Sequence, residues 1–224
     1  MNEVSHSLDR LAAASVRLLA TATALSDAQA REPSLLPGWS RGHVLTHVAR
    51  NADGMINLLR WARTGTPTPM YASAESRAAD IEAGAGRPAA ANMPDDAWTA
   101  QVRALNGPPF PALGVLERRL SEVEIHHVDV AAGYSPADWP ESFLREALPR
   151  VAESFTGRDG VPPCVVWAEG AKDSFRLGPD QAGAPVVIIK GQPADLLAWL
   201  LGRGDGATLT VAGGAALPAL LPWR

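Results

Sequence analysis

The sequence of 224 residues predicts an α+β protein, in which an N-terminal helical bundle is followed by a small mixed α/β domain. Apolar residues recur at helical spacing from Val4 to Trp61, and again through residues 113–132. After Pro140 the pattern changes to short strand-like runs separated by glycine and proline. We therefore predict two domains, residues 1–140 and residues 141–224.

The predicted bundle begins with two helices. An alanine-rich segment with apolar residues at helical spacing, from Val4 to Leu25, predicts the first. Ser40 is a suitable N-cap for the second, and Gly65 followed by Pro67 is typical of a helix end. A further long helix is predicted over residues 113–132, with its stop at Gly133.

The C-terminal part of the sequence alternates helical and strand-like segments. A helix is predicted over residues 143–155, although Pro149 inside it can kink or shorten it. The other predicted elements are strands over residues 164–168, 174–177, 186–190 and 207–211, with a helix over residues 194–201.

Composition limits the classes of partner. The 20 basic and 24 acidic residues give a net charge of −4, which argues against nucleic acid or an anionic membrane surface as the main partner. The N-terminus does not resemble a signal peptide, and no apolar run is long enough to span a membrane. We expect a cytoplasmic protein, most simply a monomer.

The single cysteine, Cys164, excludes an intrachain disulfide and agrees with a reducing compartment. It begins a run of apolar residues, Val165 to Trp167, that predicts a buried strand. A buried thiol in such a strand is usually a small inert side chain rather than a nucleophile.

The segment EVEIHHVD, residues 122–129, suggests a metal site. Glu122 and His126 are four residues apart, so on a helix a carboxylate and an imidazole project from one face and can bind one divalent metal. His43 and His47 lie on the second helix and are equal candidates for a third ligand by position. Two imidazoles and one carboxylate suit zinc best, although iron(II) accepts the same set.

Two longer segments carry a resemblance to a known family. Residues 36–51 (LPGWSRGHVLTHVARN) and 58–71 (LLRWARTGTPTPMY) resemble the mycothiol-dependent maleylpyruvate isomerases, which belong to the DinB-like metal-binding bundles. The family's Glu-Val-x-Ile-His run before Val-Asp is matched by residues 122–129, and its Gly-Arg-Gly segment by residues 202–204.

This resemblance implies a site and a reaction. The implied metal ligands are His47, Glu122 and His126, and the implied catalytic residue is Arg203. The implied cofactors are Zn²⁺ or another divalent metal, and mycothiol, whose thiolate occupies the open metal position. The implied reaction converts maleylpyruvate to fumarylpyruvate in the breakdown of gentisate-type aromatics, and the implied C-terminal domain is sterol-carrier-like. The partners are therefore a small dicarboxylate substrate and a low-molecular-weight thiol.

The sequence departs from the family in one region. The family has a full third bundle helix after the Pro-Met-Tyr loop, whereas here a helical pattern covers only residues 74–83 before a glycine-rich stretch. Roughly one helix is expected to be missing around residues 88–92. This shortening affects one wall of the bundle rather than the helices that carry the implied ligands.

Other roles are expected for the neighbouring polar residues. Asp129, three residues after His126, can accept a proton from that imidazole. His127 is expected to support the site or the structure rather than to bind metal, and Glu124 is expected to be solvated. His43 either orients a ligand or packs in the core.

The residue pattern is also compatible with two other functions. A mycothiol S-transferase acting on other electrophiles would use the same metal and thiol. A non-catalytic metal-binding module would retain the site as structure only. For Arg203, the alternative to catalysis is an arginine that binds the last carbonyls of a helix, with Gly204 as the cap.

Overall fold

The computed structural model describes residues 3–71, 95–104, 107–179 and 187–223. The chain divides into two compact units, Met1–Gly133 and Tyr134–Arg224. This division lies a few residues before the predicted boundary near residue 140, because the single-turn helix Pro136–Asp138 packs against a helix of the second unit. The predicted α+β class, with N-terminal helices and a small C-terminal sheet, is confirmed.

The first unit consists mainly of helices. Its elements are α1 (Glu3–Ala24), α2 (Asp27–Ala30), α3 (Arg41–Thr64), a 3₁₀ turn (Asp95–Thr99), β1 (Gln101–Arg103), β2 (Pro109–Pro111) and α4 (Gly114–Asp129). The helix α4 packs against both α1 and α3, and β1 and β2 form an antiparallel hairpin. One face of α4 is therefore opposite α1 and another is opposite α3.

The predicted limits of α3 are confirmed. The Ser40 hydroxyl accepts a hydrogen bond from the His43 amide, so it supplies the N-cap. Gly65 ends the helix in the left-handed region at φ 68°, and its amide donates to the Trp61 carbonyl.

The helix α4 ends earlier than the sequence predicts. It stops at Asp129 rather than near residue 132, and Ala131 has φ 54°. The carbonyl groups released at this end have partners elsewhere in the unit: Asp129 accepts from the Leu35 amide and Ala131 from the Arg41 guanidinium. These bonds replace the helical ones and allow the chain to turn before Gly133.

For two features of the first unit, prediction and structure cannot be compared. The shortened third helix, predicted over residues 74–83, and the expected gap around residues 88–92 fall outside the described residues. The hairpin of β1 and β2 was not predicted, because its strands have only three residues each and β2 contains two prolines.

One buried apolar cluster of the first unit lies at one end of α3 and α4. The buried cluster consists of Met55, Leu58, Leu59, Ala62, Met70, Trp98, Val102, Ala112, Val115 and Leu116. These residues come from the second half of α3, the segment that follows it, the hairpin region and the first turn of α4. The first half of α3 and the later turns of α4 contain the polar groups described below.

The second unit contains a four-stranded sheet and two longer helices. Its elements are α5 (Glu141–Glu153), β3 (Cys164–Ala168), β4 (Phe175–Leu177), β5 (Val187–Gly191), α6 (Pro193–Leu201) and β6 (Thr210–Val211). The strand order is β4-β3-β5-β6, with β3 and β5 parallel and the other neighbours antiparallel. Each helix and strand predicted for this region is present, with limits shifted by a few residues.

Cys164 lies at the start of β3, paired with Leu177 and Val187, and has no exposed surface. Burial raises the pKa of its thiol to about 11. Within the described parts of the chain, no helix combines the length and the apolar character needed to cross a membrane.

Candidate metal centre

The face of α4 that is opposite α3 carries a polar stripe. Arg119, Glu122, His126 and Asp129 follow one another at intervals of three, four and three residues, which places their side chains on one side of the helix. This stripe begins where the apolar cluster ends. On α3, His47 and Asn51 are four residues apart and are both buried.

His47 on α3 and His126 on α4 converge on the same oxygen of Glu122. The Oε2 atom of Glu122 lies 3.2 Å from Nε2 of His47 and 3.4 Å from Nε2 of His126. One donor atom from each of the three residues lies within 4.8 Å of the others. Among the described residues, these three form the group of metal-ligating side chains that could hold an ion.

Aromatic packing orients the two imidazoles. The rings of His47 and His126 meet edge to face, with centroids 4.7 Å apart. The Trp39 ring packs against His47 at 5.6 Å, also edge to face. The histidine rings therefore have contacts that limit their rotation in addition to their bonds to Glu122.

The donor set fits a zinc ion. Zinc binds histidine nitrogen and carboxylate oxygen at about 2.0–2.2 Å, so neighbouring ligands of a tetrahedral ion are about 3.3–3.6 Å apart. The two distances from Glu122 to the imidazoles, 3.2 and 3.4 Å, are close to that spacing. Three protein ligands of this kind leave one position for water, substrate or a thiol, as in catalytic zinc sites.

The protonation behaviour of Glu122 favours an ionised ligand. Burial raises its pKa, but hydrogen bonds from His126 and His47, together with their charges, lower it more. The net effect holds the pKa of Glu122 well below its usual range. The carboxylate is therefore negatively charged at neutral pH.

A second carboxylate contacts the other ring nitrogen of His126. Its Nδ1 lies 2.8 Å from Oδ2 of Asp129, whose side chain has no exposed surface. When Nδ1–H donates to Asp129, the Nε2 lone pair is available to a metal, which is the role expected for Asp129. Burial lowers the pKa of His126, while the hydrogen bonds to Asp129 and Glu122 raise it more, so the net shift is upward.

The site is partly open to solvent. The exposed fraction of the side chain is 6% for His47, 16% for His126 and 31% for Glu122. A solute can therefore approach from the side of Glu122, while His47 lies deeper in the unit. This gradient is suitable for a metal site that must admit a small molecule at its open position.

The structure distinguishes His43 from His47. The Nδ1 atom of His43 is 2.7 Å from the Ser40 hydroxyl and accepts from the Ser40 amide, completing the capping box of α3. The His43 side chain is thus hydrogen-bonded at the start of the helix. The metal-capable cluster, which consists of His47, Glu122 and His126, contains the other histidine of α3 instead.

The prediction for Glu124 is wrong, because its side chain is 1% exposed rather than solvated. Its Oε1 accepts from the Arg17 guanidinium at 2.5 Å. His127, on the same side of α4, is 2% exposed, with its Nε2 2.7 Å from the Thr21 hydroxyl. Neither contact could be predicted from local sequence patterns, because each joins residues more than a hundred positions apart.

Three arginines, Arg41, Arg50 and Arg203, have protein partners. Arg41 donates to Glu32 and to the Ala131 carbonyl, and Arg50 pairs with Asp53 at 3.1 Å. Arg203 follows the C-cap of α6 and donates from Nη1 to the Leu201 carbonyl at 2.6 Å.

Two protein-family models match the chain. The chain matches the family model described as the mycothiol maleylpyruvate isomerase N-terminal domain over residues 11–92. It matches the model for the C-terminal domain of the same family, described as the MDMPI C-terminal domain, over residues 138–221. No curated protein is significantly similar to it in sequence.

Two solved structures are similar to the whole chain. They are crystal structures of the mycothiol-dependent maleylpyruvate isomerase and of a histidine-to-alanine mutant of that enzyme. Each has a TM-score of 0.87 and 28% sequence identity, and the match covers 99% of this chain and 98% of the solved chain. With both of its family models matched in order, this chain belongs to the mycothiol-dependent maleylpyruvate isomerase family.

Proposed function

We propose that this protein is an isomerase that converts maleylpyruvate to fumarylpyruvate with mycothiol and a metal ion held by His47, Glu122 and His126. The observation that supports the proposal most is the convergence of two imidazole nitrogens and a carboxylate oxygen within 4.8 Å, in a chain of this family. Zinc is the proposed metal because two nitrogens and one oxygen suit it.

The metal and mycothiol together would supply a thiolate at neutral pH, whose reversible addition converts the substrate's double bond temporarily into a single bond that can rotate. The chain's own residues prepare this chemistry. Glu122 stays ionised and contributes negative charge. Asp129 holds Nδ1 of His126, so that Nε2 faces the site.

The chain's own thiol is unsuitable as the nucleophile. Cys164 lies in a strand of the second unit, without exposed surface, and its pKa of about 11 keeps it protonated at neutral pH. A thiol from solution is therefore the expected nucleophile. We predict that Cys164→Ser retains activity with only a modest loss of thermal stability, whereas removal of all small thiols abolishes turnover. Loss of activity in Cys164→Ser would show that the enzyme supplies its own nucleophile.

Arg203 is the proposed catalytic arginine. Addition of a thiolate to the substrate moves negative charge onto the conjugated carbonyl oxygen, and a guanidinium can stabilise that charge. In the structure Arg203 donates to the Leu201 carbonyl at the end of α6, which also agrees with a role in helix capping. The two roles differ in their kinetic consequences, which a substitution can measure.

Turnover of maleylpyruvate by zinc-loaded protein, with and without mycothiol, tests the proposed function. The proposal predicts fumarylpyruvate formation that requires both cofactors. Conjugation of mycothiol to a generic electrophile, without isomerisation, would indicate the S-transferase instead. Zinc binding that protects against thermal unfolding, with neither reaction, would indicate a non-catalytic metal module.

A further inference from the structure

Two arginines connect α3 and α4 on opposite sides of the metal-capable cluster. Arg41, in the first turn of α3, donates to the carbonyl of Ala131 just after α4, at 3.1 Å. Arg119, on α4, donates in the reverse direction to the carbonyl of Val48 on α3, at 2.7 Å. The His47–Glu122 contact lies between these two connections along the helix pair.

Arg119 has the closer relation to the ligands. It precedes Glu122 by three residues, and it binds the carbonyl of the residue that follows His47. The same Nη1 lies 3.1 Å from Oδ1 of Asn51, which is 2% exposed and four residues after His47. Arg119 thus contacts the backbone and a side chain of α3 within one turn of the ligand histidine.

We infer that Arg119 is a positioning residue, which holds the His47 turn of α3 at the distance from Glu122 that a shared metal ion requires. The inference rests on the proposed metal site and adds to it a residue outside the ligand set. A guanidinium has several donors in a rigid plane, whereas a lysine ammonium is a point charge on a flexible chain.

The charge of Arg119 makes the inference testable. A fixed positive charge near the site repels a metal cation. If Arg119 acted only through its charge, removing that charge would therefore strengthen zinc binding. Loss of positioning would weaken it instead, because the supporting partners of metal ligands typically contribute about 10–100-fold in affinity. The direction of the change therefore separates the two effects.

The experiment compares zinc dissociation constants, measured by competition with a chromophoric chelator, for the wild-type protein, Arg119→Met, Arg119→Lys and Arg118→Met. Arg118 is the matched control, because it is exposed on the same helix and lies over the Phe110 ring instead of contacting α3. Melting temperatures of the metal-free proteins are measured alongside. We expect weaker zinc binding by about 10–100-fold in Arg119→Met, a smaller loss in Arg119→Lys, and no change in Arg118→Met.

Unchanged or tighter zinc binding in Arg119→Met would overturn the inference, even if its metal-free melting temperature fell, because the residue would then serve stability or act by charge alone. If Arg119→Met does not fold, Arg119→Lys decides, since wild-type affinity in that variant would also overturn it. Absence of zinc binding by the wild-type protein would overturn the proposed function and the inference with it.

Discussion

The helix α4 presents a glutamate and a histidine on each of two faces, and the two pairs have different surroundings. On the face opposite α3, Glu122 and His126 meet a third ligand-type side chain, His47. On the face opposite α1, Glu124 pairs with Arg17 and His127 is close to the Thr21 hydroxyl. The same two residue types thus occur in a metal-capable cluster and in a helix–helix contact.

The comparison shows that the partners, rather than the residue types, determine which face can bind a metal. Arg17 neutralises Glu124 with a cation, so that carboxylate has little to gain from a metal. Glu122 has two imidazoles directed at a single oxygen, and a neutral imidazole nitrogen is a donor that could bind a metal. Glu122 is also 31% exposed in its side chain, whereas Glu124 is 1% exposed, so only one face admits a solute.

The largest expected effect comes from removing a ligand. Each single substitution by alanine, at His47, Glu122 or His126, should abolish isomerase activity and strongly weaken zinc retention, because only two protein ligands would remain. Zinc content by elemental analysis and turnover of maleylpyruvate are the measurements. The control on the opposite face, His127→Ala, should retain its zinc. Full zinc content and activity in His47→Ala would overturn the ligand assignment.

Arg203→Ala should leave zinc content unchanged and lower turnover. If the guanidinium stabilises charge that develops only in the transition state, kcat should fall by about 10²–10³-fold. Steady-state kinetics distinguish the roles. A rise in KM alone would indicate substrate binding without transition-state stabilisation, and wild-type kinetics would leave only the helix-capping role.

Zinc binding should depend on pH because the metal competes with protons for His126. The pKa of this residue in the metal-free protein lies above the ordinary value of 6.5, so the site is protonated to a higher pH than free imidazole. Apparent zinc affinity should therefore fall as the pH decreases through that raised pKa, by about tenfold per unit for each proton displaced. Glu122 should contribute no slope near neutrality, since its pKa is lowered.

The same protonation affects stability in the metal-free protein. The contribution of His126 is fully present below its unfolded pKa and is lost as the pH rises through its raised folded value. The gain in melting temperature on adding zinc should therefore increase as the pH rises from below 6.5 through the raised pKa of His126. A gain that does not vary with pH would show that the histidines do not hold the metal.

The smallest effect on catalysis is expected from a substitution at the contact between α1 and α4. Arg17→Met should lower the free energy of unfolding by about 1–3 kcal/mol, because the buried Glu124 carboxylate loses its contact with the Arg17 guanidinium. Arg17 is itself 38% exposed, so water reduces the loss relative to a fully buried pair. Chemical denaturation measures the change, with zinc affinity as the control. A large loss of zinc affinity would contradict the separation of the two faces.

The sequence was sufficient for what depends on local pattern. The caps Ser40 and Gly65, the strand that begins at Cys164 and the Glu122–His126 spacing all follow from residues close together in the chain, and the structure contains each of them. The spacing alone could not choose between His43 and His47, because both lie in the first turns of α3. The capping box that engages His43 becomes evident only from the geometry.

Contacts between distant segments could not be predicted in the same way. The burial of Glu124 depends on Arg17 from another helix, so periodicity within α4 gave no sign of it. Arg119 could have been noticed as a member of the stripe that contains Glu122 and His126. Its contacts with α3, however, require the register of the two helices, which the sequence does not specify.

The most direct test of the central claim is the position of zinc on α4. Crystals of the zinc-loaded protein, with diffraction data collected on both sides of the zinc absorption edge, give an anomalous difference map that locates the ion. The account predicts one peak per chain at about 2.0–2.2 Å from Nε2 of His47, Nε2 of His126 and a carboxylate oxygen of Glu122. A peak beside Glu124 and His127, or no ordered zinc at the His47 cluster, would contradict it.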